Sequence, residues 1–193
     1  MKSLLIFTSL VVLTPMSAHA ALQQGDTAPP FSAQASLAGK EFTFSLGDAL
    51  KKGPLVVYFF PSAYTQGCNV QAHTFAMNHE KFAEAGATVV GVSLDPIGRL
   101  NEFSADPEFC AGKLAVASDA DGKVVRLYEL QIREAPVGMK DTRNQEIQHG
   151  FAERTTFVVT PDGKIAATIG GVSPFDNVRK ALETVEQLKN AGH

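Results

Sequence analysis

Leu55-Val56-Val57-Tyr58-Phe59-Phe60-Pro61-Ser62-Ala63-Tyr64-Thr65-Gln66-Gly67-Cys68 is the stretch on which the reading of this chain turns. Gly53-Pro54 punctuates the chain just before it. The unbroken β-branched and aromatic run that follows reads as a strand buried on both faces, as in the middle of an α/β sheet. Pro61 stops the strand, since it brings no N–H to a ladder. Ser62 to Gly67 reads as a loop, and a helix is expected from about Cys68 to Ala85, with Val70, Phe75 and Phe82 facing inward. Gly86 ends it in the usual role of a glycine past a helix C-terminus.

Working outward, Ala87 to Ser93 reads as a second buried strand. Asp95-Pro96 opens another helix, with Leu100 and Phe103 inward, that runs towards Cys110 through an interruption at Pro107. Leu114 to Ala117 makes a third strand, and Lys123 to Leu130 a short helix after the Asp121-Gly122 turn. Gln131 to Glu153 is polar and irregular, long enough for a functional or mobile loop. Pro161-Asp162-Gly163 between Thr155 to Val159 and Lys164 to Ile169 signals a hairpin, and Pro174 to Ala191 an amphipathic closing helix. Upstream, Phe31 to Leu46 with a turn at Gly39 suits a further hairpin. The alternation predicts a single α/β domain of thioredoxin-like fold, a central mixed sheet flanked by helices with an N-terminal hairpin extension.

With 193 residues, 45% hydrophobic and 19% charged, the chain has an ordinary globular composition and enough length for a sizeable core. A net charge of −3 without a basic run argues against nucleic acid or anionic membrane as partner. The start reads differently. Lys2, the apolar run Leu4 to Leu13 and the small residues of Ala18-His19-Ala20 have the form of a cleavable signal peptide over 1–20. That leaves residues 21–193 as the mature domain, exported and expected in a bacterial periplasm. The apolar run is too short for a permanent anchor, so no membrane association is expected after cleavage. Export also changes how Cys68 and Cys110 are read, because an exported protein with two cysteines usually pairs them structurally.

Chemistry competes with that reading. A cysteine attacks well only as thiolate, and Cys68 falls where a loop gives way to a helix, whose unpaired N–H groups and dipole favour an anion. Thr65 can bring a hydroxyl beside the sulfur from the same turn, to hold it or to place a substrate oxygen. Pro61 can shield one side of the pocket from water.

Pro61-x-x-x-Thr65-x-x-Cys68 resembles the signature of the peroxiredoxins. Gly25-Asp26-x-Ala28-Pro29, Gly91-Val92-Ser93-x-Asp95 and Arg154-Thr155-Thr156-Phe157 follow the same family order, so the likeness covers nearly all of the mature chain. Gly67-Cys68-x-Val70-Gln71-Ala72 is most similar to the peroxiredoxin Q, or bacterioferritin comigratory, group. The resemblance implies a thiol peroxidase acting on hydrogen peroxide and organic hydroperoxides, with Pro61, Thr65, Cys68 and Arg154 as the catalytic set. Arg154 would favour the thiolate and polarise the O–O bond. The remaining arginines, Arg99, Arg126, Arg133, Arg143 and Arg179, read as surface residues.

The sulfenic acid left on Cys68 needs a second thiol. Many relatives carry one where this chain has His73, so Cys110 is the internal candidate for resolution. An inert buried Cys110 with an external thiol resolving, and a permanent structural disulfide, stay open beside it. A thioredoxin-like or other dithiol donor would complete the cycle, and a monomer or weak homodimer is expected. His73, His79, His149 and His193 lack metal-ligand spacing and no phosphate-cradling loop is present, so no cofactor and no metal are expected. Asp95, Asp119 and Asp121 read as caps and turns. An envelope thiol-disulfide oxidoreductase would need Cys-x-x-Cys, whereas Cys68 is followed by Asn69, Val70 and Gln71. A redox-sensing thioredoxin-fold protein is the other alternative. It would be oxidised once and wait, where a peroxidase turns over.

Overall fold

The computed structural model describes residues 21–192. The signal peptide read over 1–20 lies outside them. In chain order the elements are β1 (Ser32–Leu37), β2 (Lys40–Ser45), α1 (Leu46–Leu50), β3 (Leu55–Phe59), α2 (Gln66–Met77), α3 (His79–Glu84), β4 (Thr88–Ser93) and α4 (Ile97–Ala105). They continue with β5 (Ala115–Ser118), α5 (Lys123–Leu127), β6 (Ile132–Arg133), β7 (Phe151–Ala152), β8 (Thr155–Val159), β9 (Ile165–Gly170) and α6 (Pro174–Asn190).

Seven strands form one mixed sheet in the order β2-β1-β5-β4-β3-β8-β9. β3, β4 and β5 run parallel, as strands joined by helical crossovers must, while β8 and β9 return antiparallel. The β1–β2 hairpin turns at Ala38 (φ 51) and Gly39 (φ 77), the double positive φ of a type I′ turn, and β1 pairs with β5 to extend one edge. This is the thioredoxin-like mixed sheet with its N-terminal hairpin.

Because strand side chains alternate, β3 feeds two cores. Leu55, Val57 and Phe59 join the cluster on one face, and Val56 and Tyr58, followed by Phe60, join the other. The second core, covered by α2, α4 and α6, holds both Cys68 and Cys110. Gly91 on β4 is required there, since a Cβ would come within 2.6 Å of Tyr58 Cζ.

The structure corrects several local readings. The single helix expected from Cys68 to Ala85 begins two residues earlier and is two helices, broken at Asn78 (φ −101, ψ 9). The Asn78 amide donates back to Thr74 O at 2.8 Å, a local bond that competes with helix continuation. Gly86 (φ 77) does close α3, with Gly86 N donating to Ala83 O and Ala87 N to Phe82 O. Val70 faces solvent at 46% exposure, because Cys68, Gln71, Ala72, Phe75 and Ala76 occupy the inner face and Val70 lies two residues, some 200° of helix turn, from Cys68. α4 stops at Ala105 instead of running on to Cys110. Pro107 forces Asp106 into extended backbone (ψ 119), and Cys110 follows in a turn. α5 ends at Leu127, short of Leu130, where Glu129 takes φ 57.

Candidate active site

Thr65 is the N-cap of α2, so Cys68 sits in its first turn. The first helical hydrogen bond is Asn69 N to Thr65 O, which leaves the N–H groups of Gln66, Gly67 and Cys68 outside the helical ladder. The Thr65 hydroxyl does not cap them. It donates to Ser62 O at 2.8 Å and so presents its lone pairs, as an acceptor, to whatever enters. Pro61 is half-buried at the loop's start.

Arg154 arrives by sheet register. Phe59 pairs with Thr155 across β3 and β8, which sets the preceding Arg154 beside the end of β3. Its Nη2 donates to Cys68 Sγ at 3.4 Å, and its Nη1 donates to Gln71 Oε1. Gly67 leaves the space for this approach, as a Cβ there would lie 3.0 Å from Nη2. Gln71 is fixed in turn. Its Nε2 donates to Asn177 Oδ1 at 2.9 Å, Thr156 donates to the same oxygen, and Asn177 Nδ2 donates to Ile169 O. Gln71, Thr156 and Asn177 are all fully buried, so each polar group in this chain needs its partner.

The structure therefore brings Pro61, Thr65, Cys68 and Arg154 to one place. Cys68 is 1% and Cys110 0% exposed, and both are free thiols. Burial pushes the Cys110 thiol well above the usual range, and the charge of Asp106 acts the same way. His73 Nδ1 is 2.8 Å from Glu108 O, tying α2 to the turn that carries Cys110. A cleft of about 490 Å³ reaches Pro61 and Arg154 and is bounded further by Arg133, Glu134, Pro136, Met139 and Phe151.

Residues read as bland turn out to hold this loop in place. Asp95 is fully buried and accepts from Ser62 Oγ, Ala63 N, Ser93 Oγ and His149 Nε2 at 2.8–2.9 Å. Arg99, expected at the surface, has its side chain only 13% exposed and bridges Asp95 (2.9 Å) and Asp141 (2.6 Å). Two buried carboxylates within its reach draw it inward. Burial works against the Asp95 charge, but His149, Ala63 N–H and Ser93 outweigh it and hold the carboxyl below its ordinary range. Burial likewise opposes charge on His149, and Asp95 with the Gly150 carbonyl overrides it, leaving the imidazole above its ordinary range. The only sequence signal for Asp95 was its place in Gly91-Val92-Ser93-x-Asp95. Nothing in the sequence marked Arg99 or His149.

A buried thiol in a helix's first turn, met by a guanidinium from the residue just before the neighbouring strand, fits the class of cysteine-dependent peroxidases. A dithiol oxidoreductase would carry its second sulfur one turn on, where this chain has Gln71. Comparison with known proteins agrees. The AhpC/TSA family model matches residues 24–168, and the chain belongs to that family. A Mycobacterium tuberculosis protein whose name places it among the peroxiredoxins is 31% identical over 142 residues, 73% of this chain and 83% of its own. The structure of peroxidoxin BcpB from the same organism superposes with a TM-score of 0.71 at 28% identity, covering 86% of this chain and 98% of that one. Xanthomonas campestris bacterioferritin comigratory protein, a structure described for alkyl peroxide reduction, gives 0.65 at 24% identity over 88% and 99%. The chain is thus a peroxiredoxin, similar in structure to proteins of the Bcp kind.

Proposed function

We propose that this peroxiredoxin reduces hydrogen peroxide and organic hydroperoxides through Cys68, and that Cys110 resolves the oxidised sulfur. The observation that carries the reading is Arg154 Nη2 at 3.4 Å from Cys68 Sγ. In the first step the Cys68 thiolate attacks the terminal peroxide oxygen. An S–O bond forms, the O–O bond breaks, and the departing oxygen leaves as water or alcohol after taking a proton. Arg154 stands against the charge that moves onto oxygen, and the N–H groups of Gln66, Gly67 and Cys68, outside the helical ladder, contribute the positive end of the α2 dipole. Thr65, its own proton given to Ser62 O, can accept from the peroxide O–H. The apolar sides of the cleft at Pro61, Pro136 and Met139 support an organic substituent on the substrate.

The Cys68 sulfenic acid then condenses with the Cys110 thiol, forming S–S and releasing water. An external dithiol returns both sulfurs to thiols. Both sulfurs are buried as free thiols in one core, and the proposed cycle has the Pro61–Cys68 segment open for them to bond. The composition of residues 1–20 supports export, and a donor acting outside the cytoplasm. Turnover of hydrogen peroxide and of cumene hydroperoxide with a dithiol donor, in the mature protein and in Cys110→Ser, tests the resolving step. Loss of dithiol-driven cycling with first-turnover oxidation intact is expected in the variant. Undiminished cycling there would remove Cys110 from the cycle.

A further inference from the structure

The Pro61–Cys68 segment is strained and fastened from outside. Tyr64 takes φ 60, a left-handed conformation that a residue with a Cβ adopts at a cost. Its ring lies edge-on to Phe103 and Phe109, and the Arg143 guanidinium sits 3.3 Å above its centroid. Thr142 donates to Tyr64 O through both N–H (2.9 Å) and hydroxyl (2.7 Å), and Arg99 Nη2 donates to Ala63 O at 2.8 Å. Beneath these, Asp95 is held from four directions. Ser62 and Ala63 of the loop itself, Ser93 of β4 and His149 of the excursion between β6 and β7 donate to it, and Arg99 of α4 meets it as an ion pair at 2.9 Å. His149 faces acceptors on both ring nitrogens, Asp95 Oδ1 and Gly150 O, each at 2.9 Å. Only the imidazolium satisfies both.

We infer that Asp95 is a positioning residue for Cys68. Its carboxylate, charge-matched by Arg99 and His149, pins Ser62 and Ala63 and thereby holds the strained turn at Tyr64 and the first turn of α2 in the peroxide-accepting arrangement. A carboxylate suits this place because it only accepts, while Ser62, Ala63, Ser93 and His149 donate to it and Arg99 matches its charge. An amide would turn an N–H towards one of them. The same pin opposes the opening through which the nearly inaccessible Cys68 meets a second thiol. Asp95 therefore sets the balance between reacting with peroxide and being captured by a thiol. This rests on the proposed Cys68 sulfenic acid, though not on Cys110 as its resolver.

The test uses the mature protein in a Cys110→Ser background, with and without Asp95→Asn. Two rates are measured: oxidation of reduced Cys68 by hydrogen peroxide, and capture of the sulfenic acid by thionitrobenzoate. Capture by the thionitrobenzoate thiolate forms a mixed disulfide as the S–O bond breaks, and the sulfenic oxygen leaves as hydroxide, which takes a proton from solvent to give water. Asp95→Asn is expected to slow oxidation about tenfold and to speed capture about tenfold, the factor that goes with one lost hydrogen bond to a charged group. His149→Ala removes a donor from the partly exposed side and is expected to move both rates in the same opposed sense by a smaller factor. It carries the test if Asp95→Asn does not fold. Gly91→Ala, which destabilises the fold while leaving Asp95 and its partners in place, is measured alongside and is expected to leave both rates within a small factor, and an equal opposed change there would overturn the positioning role. Parallel changes, or no change, in folded Asp95→Asn and His149→Ala would overturn it too. If the Cys110→Ser parent itself shows no peroxide-dependent sulfenic acid, it is the peroxidase reading that fails, and that is seen before any Asp95 variant is compared.

Discussion

Replacing Gln71 by Leu keeps the side-chain volume of a buried site and removes only its two hydrogen bonds. One is the acceptor for Arg154 Nη1, and the other is the 2.9 Å donation to Asn177 Oδ1. A hydrogen bond to a charged group contributes about 1.5–3 kcal/mol. The second break matters less, because Asn177 keeps the Thr156 hydroxyl at 2.6 Å and its own donation to Ile169 O, so about 0.5–1.5 kcal/mol is expected there. Together the variant loses about 2–4 kcal/mol of stability, within reach of a folded domain. The first contribution is the one that holds the guanidinium on Cys68 Sγ. If it is lost from the population poised for attack, oxidation by peroxide slows roughly 10- to 100-fold. The chain contains no tryptophan, so intrinsic indole fluorescence gives no signal. Competition for peroxide against a haem peroxidase of known rate supplies the measurement. An unchanged oxidation rate in folded Gln71→Leu would refute the idea that Gln71 positions Arg154.

Gly91→Ala is expected to destabilise the protein by about 1–3 kcal/mol, since the new Cβ would press on Tyr58 Cζ, Tyr58 Oη and Phe60 Cε1 at 2.6–2.9 Å. Thermal unfolding reads this as a drop of roughly 2–4 °C per kcal/mol, and an unaltered midpoint would show that β4 moves freely away. The Asp95–His149 pair predicts a pH window. The raised imidazole gives stability that is complete below its ordinary range, at about pH 6.5, and is lost as pH climbs through the raised value. The lowered carboxyl gives stability complete above about pH 4 and lost as pH falls through its depressed value. Arg99, Arg143, Asp141 and Glu102 surround the pair, so the wild type is best compared with His149→Gln. The difference in melting temperature should be greatest between about pH 4 and 6.5 and shrink on the alkaline side. A difference that grows with pH would contradict the assigned charges.

The sheet was legible because its signals are local. Leu55 to Phe60 is uninterrupted and apolar, Pro161-Asp162-Gly163 marks a turn, and Gly86 marks a stop. Each acts on the backbone within a few residues of itself. The break at Asn78 was missed because its cause, a side-chain amide turning back on Thr74 O, leaves no hydrophobic pattern behind. Val70 faces solvent because the inner face of α2 is set by Cys68 and Gln71, whose burial follows from the site and not from hydrophobicity. Polar groups that meet only after folding were the hardest to see. Gln71 and Asn177 come from α2 and α6, and His149 reaches Asp95 from an irregular stretch with no periodicity. Arg99 looks like any helix-surface arginine until Asp95 and Asp141 are buried on either side of it.

The central claim is that Cys68 takes the peroxide oxygen. Reduced protein treated with one equivalent of hydrogen peroxide and a sulfenic-acid-trapping dione, then digested and mapped by mass spectrometry, tests it most directly. Cys110→Ser is used so that the sulfenic acid has no internal thiol to consume it. The adduct is expected on the peptide carrying Cys68, and Arg154→Ala should sharply reduce its rate of formation. Peroxide consumption at the wild-type rate in Cys68→Ser, or a Cys68 left reduced while peroxide disappears, would contradict it.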